Sequence, residues 1–136
     1  MAQNPTLFNL EKLIEFRHWM HQNCELSMVE HNTQKKISEY FQSLGVPASS
    51  IKKCAGTGLI IDIYGKAEPK GKKLLIGARA DIDGLPMVEK NDLPFKSVTN
   101  GSHMCGHDGH AAMLLGGASL YLENLDKIPS NRGVRF

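Results

Sequence analysis

The sequence predicts an α/β domain. Two amphipathic helical patterns occupy the first third of the chain, and the apolar residues then change to the continuous runs that are typical of strands. A helix rich in small residues follows, and it connects one strand-like run to another at the end of the chain. Because parallel neighbouring strands need a crossover connection, this order favours a parallel pair within the sheet.

The two N-terminal helices are predicted over residues 7–22 and 28–44. In each segment, apolar residues recur at spacings of three and four, which places them on one face of a helix. Gly45 and Pro47 follow the second segment, and both residue types are typical of a helix end.

Strands are predicted over residues 57–65 and 73–83. The first run, "TGLIIDIYG", is rich in isoleucine and ends in glycine. The second, "KLLIGARADID", begins with a continuous apolar stretch, which predicts a strand buried on both faces at the centre of the sheet. Residues 84–107 contain glycine, proline and asparagine with little periodicity, so we expect a long ordered loop of the kind that often carries function.

The last helix is predicted over residues 108–124, with Asp108 as its N-cap. Its small residues would allow close packing against a sheet. The closing "GVRF", residues 133–136, is interpreted as the start of another strand.

Length, composition and charge exclude several classes of protein. With 136 residues and a net charge of +2, the chain fits one domain at most, and its basic residues are scattered rather than clustered as in a nucleic-acid-binding protein. No apolar run approaches the roughly 18–20 residues that cross a membrane, and the N-terminus does not resemble a signal peptide. The three cysteines are an odd number and widely spaced, which favours reduced thiols and a cytoplasmic location.

The segment "ARADIDGLP" places Arg79, Asp81 and Asp83 at alternate positions at the end of the predicted strand. Alternate side chains of a strand share a face, and open α/β sheets bind ligands beyond the carboxyl ends of their strands. Buried charges must pair or bind a ligand. Two interpretations stay open: a ligand site, or an Arg–Asp pair that caps the sheet together with a turn at Asp83.

The segment "MCGHDGH" contains the strongest candidate metal ligands. Cys105 and His107 are separated by one glycine, so their side chains could converge on one ion as thiolate and neutral imidazole. Asp108 and His110 follow directly and could support such a site. Two alternatives stay open: each histidine could be an ordinary loop residue, and Cys105 with His107 could form the nucleophile pair of a thiol hydrolase.

Taken together, "RADIDGLPMVEKNDLPFKS" and "GSHMCGHDGHAAMLLGGA" closely resemble the amidohydrolase branch of the zinc-dependent aminoacylase/carboxypeptidase superfamily. This branch includes hippurate hydrolase, N-acyl-amino-acid hydrolases and the plant indole-acetyl-amino-acid hydrolases. The N-terminal "FRHWMHQNCELSMVEHNTQKKISEYFQSLG" resembles the opening helix pair of the same family, so the similarity covers the chain from about Leu13 onward.

The resemblance implies that residues 1–136 are the N-terminal part of a zinc-peptidase-like catalytic domain. Cys105 and His107 would be ligands of a centre that holds two divalent metal ions, zinc or manganese, and Asp81 would orient the site without binding metal. Arg79, Asp83, Asp108 and His110 would be supporting residues. The substrate would be a small N-acyl amino acid, whose amide bond is hydrolysed by metal-activated water.

The resemblance also implies that several parts of the enzyme lie outside this sequence. The general-base glutamate, the remaining metal ligands and the smaller domain through which the family dimerises have no counterpart in these residues. We therefore expect the chain to be a fragment that is inactive alone. The alternative from a different class is a non-catalytic module that binds a metal ion or a partner.

Overall fold

The structure is a computed structural model that describes residues 6–136. The helices and strands follow one another as α1 (Leu10–Gln22), α2 (His31–Ser43), β1 (Ile51–Cys54), β2 (Gly58–Tyr64), β3 (Leu74–Gly77), α3 (His107–Glu123) and β4 (Arg132–Arg135). Short 3-10 turns precede β1 and β4. The α/β class and each of the three helices expected from the sequence are present.

The sheet has four strands in the order β1-β2-β4-β3. β1 and β2 are antiparallel, and so are β2 and β4. β3 and β4 are parallel, with Ile76 opposite Val134. Because α3 lies between these two strands in the chain, the parallel crossover predicted from the sequence is confirmed.

The core forms where the helices cover one another and the sheet. Phe16 and Met20 of α1, Phe41 of α2, Ile61 of β2 and Leu115 of α3 are all buried in one cluster. α3 packs closely against α1 at Gly116. Even the first carbon of a side chain at this position would lie only 3.1 Å from a methyl group of Leu13. Gly116 of α3 thus serves close contact with α1.

The prediction of a buried central strand over residues 73–83 was wrong in position and length. β3 ends at Gly77 and lies at the edge of the sheet, and Leu74 and Ile76 are 43% and 56% exposed. An apolar run shows which residue types a strand contains, but it does not show how many strands lie beside it. The residues after Gly77 belong to no strand, so the shared-face argument for Arg79, Asp81 and Asp83 does not hold in its original form.

One strand was missed. β1 forms a hairpin with β2, with Ile51 opposite Ile61, and Ala55 and Gly56 in the connection have φ of 45° and 83°. The strand is four residues long and has two lysines at its centre. It therefore lacks the alternation by which a half-buried strand is recognised.

Within residues 6–136, none of the helices combines the length and the apolar character needed to cross a bilayer.

Candidate metal centre

The connection from β3 to α3, residues 78–106, contains the candidate site. It is ordered by backbone hydrogen bonds, as the sequence predicted for most of this segment. Leu85 and Ser102 exchange N–H···O bonds of 3.0 Å, and the Gly84 N–H donates to the Glu25 carbonyl at 2.8 Å. The Val98 N–H donates to the Gln22 carbonyl at the end of α1, at 3.0 Å. The loop is therefore fixed at both ends and to the helix pair.

His107, the first residue of α3, has a defined ring orientation. Its Nδ1 lies 3.0 Å from both the carbonyl oxygen and Oδ1 of Asp83. Since both of these oxygens accept hydrogen bonds, Nδ1 carries the proton in a neutral ring. Nε2 then keeps its lone pair, and this is the arrangement found in histidines that bind metal through Nε2. The chemistry of this donor fits a divalent cation.

Asp81 lies on the other side of the His107 ring, with Oδ2 4.0 Å from Nε2. It also forms an ion pair with Arg79, whose side chain is exposed. The Arg–Asp pair considered as an alternative is therefore present, but an exposed pair of this kind contributes little stability. The structure brings Asp81 and Asp83 together at the edge of one imidazole ring.

Cys105 is exposed and lies two residues before His107. In the part of the chain that the structure describes, no hydrogen bond joins the Cys105 thiol to His107, so the geometry gives no support to a thiol–imidazole nucleophile pair. Within residues 6–136 there is also no group of three or more His, Cys, Asp or Glu side chains arranged to hold a metal ion. Cys105 and His107 thus offer two donors, fewer than the three or four protein ligands of a typical zinc site.

His110 is exposed, and its ring centroid lies 5.9 Å from that of His107. The two residues are one helical turn apart because α3 begins at His107, one residue earlier than predicted. His110 is therefore near the candidate centre but has no polar contact with the His107 ring.

The predicted N-cap role of Asp108 was wrong. Gly106 occupies the N-cap position with φ of 83°, and Asp108 lies inside the first turn of α3 with its side chain fully buried. Its Oδ2 forms an ion pair with Nε of Arg17 at 2.7 Å and is hydrogen-bonded to Nδ1 of His21 at 2.8 Å. Asp108 therefore connects α3 to α1 instead of capping its own helix.

His21 also contacts the long loop that precedes α3. Nε2 of His21 lies 3.1 Å from Oε1 of the buried Glu89. Glu89 Oε2 accepts the Ser97 N–H at 2.7 Å. Burial alone would raise the pKa of Glu89, but the hydrogen bonds from Ser97, His21 and Asn91 outweigh it and lower the pKa to about 2. We call the side chains of Arg17, His21, Glu89 and Asp108 the buried ionic network.

Sequence reasoning missed Arg17, His21 and Glu89 of this network. A signal existed for two of them, because Arg17 and His21 are four residues apart and share a face of α1. The sequence contained no such signal for Glu89, since this residue lies in a loop without periodicity and contacts His21 only in the folded chain.

Two further residues place the loop against α1 and α3. Phe95 stacks on His18 with ring centroids 3.8 Å apart, and Arg17 lies 5.1 Å from the centre of the same ring. His103 is buried near His21, with ring centroids 6.3 Å apart. Burial lowers the pKa of His103, and the charge of Asp108 acts in the opposite direction. Both ring nitrogens of His103 are buried without a hydrogen-bond partner among the described residues, and this burial favours the neutral ring.

A cavity of about 700 Å³ lies beside these residues but is a separate feature. Apolar side chains such as Ile37, Phe41 and Leu115 form much of its wall, and Asp81 and Asp83 are also in the lining. Cys105 and His107 are not part of the wall. The candidate metal ligands therefore lie outside this cavity.

Comparison with known proteins supports the family resemblance. Residues 77–136 match the Peptidase family M20/M25/M40. The chain is 43% identical over 138 residues to an N-acetyl-L-cysteine deacetylase of Bacillus subtilis, covering 98% of this chain and 31% of the relative. It is 42% identical over 117 residues to thermostable carboxypeptidase 1 of Saccharolobus solfataricus, covering 85% of this chain and 28% of the relative.

A solved structure shares the fold. The Bacillus subtilis YXEP protein, described as a dinuclear metal binding peptidase from the M20 family, superimposes with a TM-score of 0.80 at 34% identity. The superposition covers 93% of this chain and 34% of that protein. The chain thus spans about a third of the length of the proteins it matches. Sequence match and shared fold agree: residues 77–136 match peptidase family M20/M25/M40, and the chain is similar to proteins of this kind over about a third of their length.

Proposed function

We propose that the protein is a metal-dependent hydrolase of the amide bond in N-acyl amino acids, and that Cys105 and His107 are metal ligands. The observation that carries this proposal is the orientation of His107, whose Nδ1 is held by Asp83 so that Nε2 is free to bind a cation. The names of the relatives, which include a deacetylase of an N-acetylated amino acid, support the substrate class.

The cofactor would be zinc or manganese, with two ions in the complete site. When bound, a metal ion of this kind polarises the scissile carbonyl and lowers the pKa of its water to about 7. The residues of this chain would hold and orient it: Cys105 would supply a thiolate, His107 would supply Nε2, and Asp83, hydrogen-bonded to Nδ1, would fix the ring. Asp81 lies on the Nε2 side of the ring, with Oδ2 4.0 Å from Nε2, and its orienting role, like the supporting roles of Arg79, Asp108 and His110, stays a prediction.

The general base, a cytoplasmic location and dimerisation also stay predictions. The family resemblance implies a glutamate base that has no counterpart among these residues. We therefore expect the 136-residue chain to bind metal but to show no hydrolysis of N-acetyl or N-benzoyl amino acids, with added zinc or manganese, above a metal-only blank. Turnover by the chain would show that its own side chains supply the base.

Metal binding is the direct test of the proposed ligands. The 136-residue chain is titrated with Co²⁺, and the thiolate-to-cobalt charge-transfer absorption is followed. We expect Cys105→Ser to remove this absorption and His107→Gln to weaken binding. Asp83→Asn should weaken it by about 10–100-fold, because the outer partner of a histidine ligand tunes metal affinity to this extent.

Matched controls are Cys54→Ser and His31→Gln, since Cys54 lies in β1 and His31 is an exposed residue at the start of α2. Both controls should bind Co²⁺ as the unmodified chain does. Charge-transfer absorption that survives in Cys105→Ser but disappears in Cys54→Ser would reject Cys105 as the ligand.

A further inference from the structure

We propose that His21 is a positioning residue for the candidate metal centre, and that its ring, held between Asp108 and Glu89, fixes the first turn of α3 and with it His107. The inference rests on the proposed function of Cys105 and His107 as metal ligands. The hydrogen bonds and ion pairs of His21 go to Asp108 and Glu89 and not to Cys105 or His107, so it would act through Asp108.

The hydrogen bonds of His21 define its chemical state. Nδ1 lies 2.8 Å from Asp108 Oδ2, and Nε2 lies 3.1 Å from Glu89 Oε1. Ionised carboxylates only accept hydrogen bonds, so a carboxylate at each ring nitrogen suits a His21 ring that donates from both. Arg17 lies on the same oxygen of Asp108, so in that arrangement the two basic and two acidic side chains of the buried ionic network would balance in charge. This balance allows charged groups to be buried.

Burial makes the geometry of these groups rigid. His21, Asp108 and Glu89 are 4%, 0% and 2% exposed. In such surroundings a hydrogen bond to a charged group is short and directional, and a missing partner is costly. The three side chains come from α1, the long loop and α3, so the His21 ring holds all three segments at one point.

The position of Asp108 determines that of His107 because the two residues are adjacent at the start of α3. If Asp108 moved, the backbone of the first helical turn would move with it. The 3.0 Å hydrogen bond between the His107 ring and Asp83 would then lose its alignment. A shift of this kind in an outer contact changes metal affinity without removing a ligand.

His21→Gln is the informative substitution. Glutamine can occupy a similar volume, but its donor and acceptor atoms differ, so one of the two carboxylates would face an amide oxygen. Glu89→Gln changes the contact of the His21 ring at Nε2 and leaves its contact with Asp108 in place. It is therefore a milder variant than His21→Gln. His31→Gln on α2 is the control.

The first readout is the ring ¹⁵N NMR spectrum of the metal-free 136-residue chain. We expect both nitrogens of His21 to be protonated and His107 to be a single Nδ1–H tautomer. In folded His21→Gln and Glu89→Gln, the His107 signals should shift toward a mixture of tautomers, and His31→Gln should leave them unchanged. Unchanged His107 signals in both variants, or a neutral His21 ring in the unmodified chain, would overturn the proposal.

The second readout is Co²⁺ affinity together with the cobalt absorption spectrum. We expect His21→Gln to weaken binding by about 10–100-fold and to change the spectrum, with Cys105 still a ligand. If the unmodified chain binds no Co²⁺ through Cys105 while the His107 signals respond to His21, the proposed function fails and the positioning role of His21 stands. If Co²⁺ binds normally in both variants, the positioning role fails and the proposed function stands.

Discussion

Replacing Asp108 with alanine is expected to destabilise the chain by about 3–5 kcal/mol, because it removes one member of a buried ion pair and leaves the others without compensation. Oδ2 of Asp108 is shared by Arg17 at 2.7 Å and His21 at 2.8 Å, and Asp108 is 0% exposed. Without the Asp108 carboxylate, the His21 ring would keep only its contact with Glu89. Its Nδ1 would face a space that the alanine side chain does not fill. α1 and α3 would lose their polar connection.

Urea unfolding followed by circular dichroism measures this effect at neutral pH. Asp92→Ala is the matched control, because Asp92 is an exposed aspartate in the same long loop, and its loss should change the free energy of unfolding by no more than about 0.5 kcal/mol. The loss in unfolding free energy for Asp108→Asn should lie between those for Asp108→Ala and Asp92→Ala, since asparagine keeps the volume of the side chain but loses its charge. A loss below about 1 kcal/mol for Asp108→Ala would show that the network contributes little to stability.

A double-mutant cycle separates the contact from the burial of each group. The cycle compares His21→Gln, Asp108→Asn and the double variant. Residues in direct contact within one network are expected to show an interaction free energy of about 0.5–3 kcal/mol. Additive losses would mean that the two residues stabilise the chain independently.

The fold was predictable to the extent that it depends on periodicity. The three helices appear within a few residues of the expected bounds. The apolar spacing along α1 and α2 reports which face is buried, whereas α3 was predicted from its run of small residues. The parallel pair of β3 and β4 followed from the helix between them. The start of α1 lies later than predicted because Asn9 caps the helix, with its Oδ1 accepting the Lys12 N–H at 3.0 Å.

The candidate site was predictable only where its residues are close in sequence. Cys105 and His107 were found because two metal-binding residue types lie within three positions, and the "DID" segment was found because two carboxylates follow an apolar run. The pairing of His107 with Asp83 connects segments that are 24 residues apart. Spacing alone could not show which of Asp81 and Asp83 holds the ring.

The role of Asp108 shows most clearly what local sequence rules cannot predict. An aspartate near the start of a helix is a common N-cap, so local rules favour that interpretation. The glycine at 106, with φ of 83°, takes the cap position, and the carboxylate then lies on the face that meets α1. Tertiary contact with Arg17 and His21 therefore decides its role, and no property of the segment "GHDGH" contains that information.

Acid should weaken the fold through Glu89. Its pKa in the folded chain is about 2, below the ordinary value of 4.5, because hydrogen bonds from Ser97, His21 and Asn91 favour the charged carboxylate over the opposing effect of burial. A lowered folded pKa stabilises the fold fully above the unfolded pKa, and this contribution is lost as the pH falls through the folded pKa. The window is therefore pH 4.5 to 2, and the loss is roughly 3 kcal/mol.

Urea unfolding at pH values from 7 to 3, for the unmodified chain and Glu89→Gln, tests this expectation. Glu25 also has a lowered pKa, as hydrogen bonds from Thr33 and Asn32 outweigh its burial, and hydrogen bonds lower the pKa values of Asp62 and Glu123. The unmodified chain therefore contains all of these contributions. Glutamine at position 89 cannot titrate, and the difference in unfolding free energy between the two proteins isolates Glu89. We expect this difference to be largest at pH 7 and to narrow steadily below pH 4.5. A difference that stays constant down to pH 3 would mean that Glu89 has the same proton affinity in the folded and unfolded chain, and that its contacts with His21 and Ser97 do not stabilise the carboxylate.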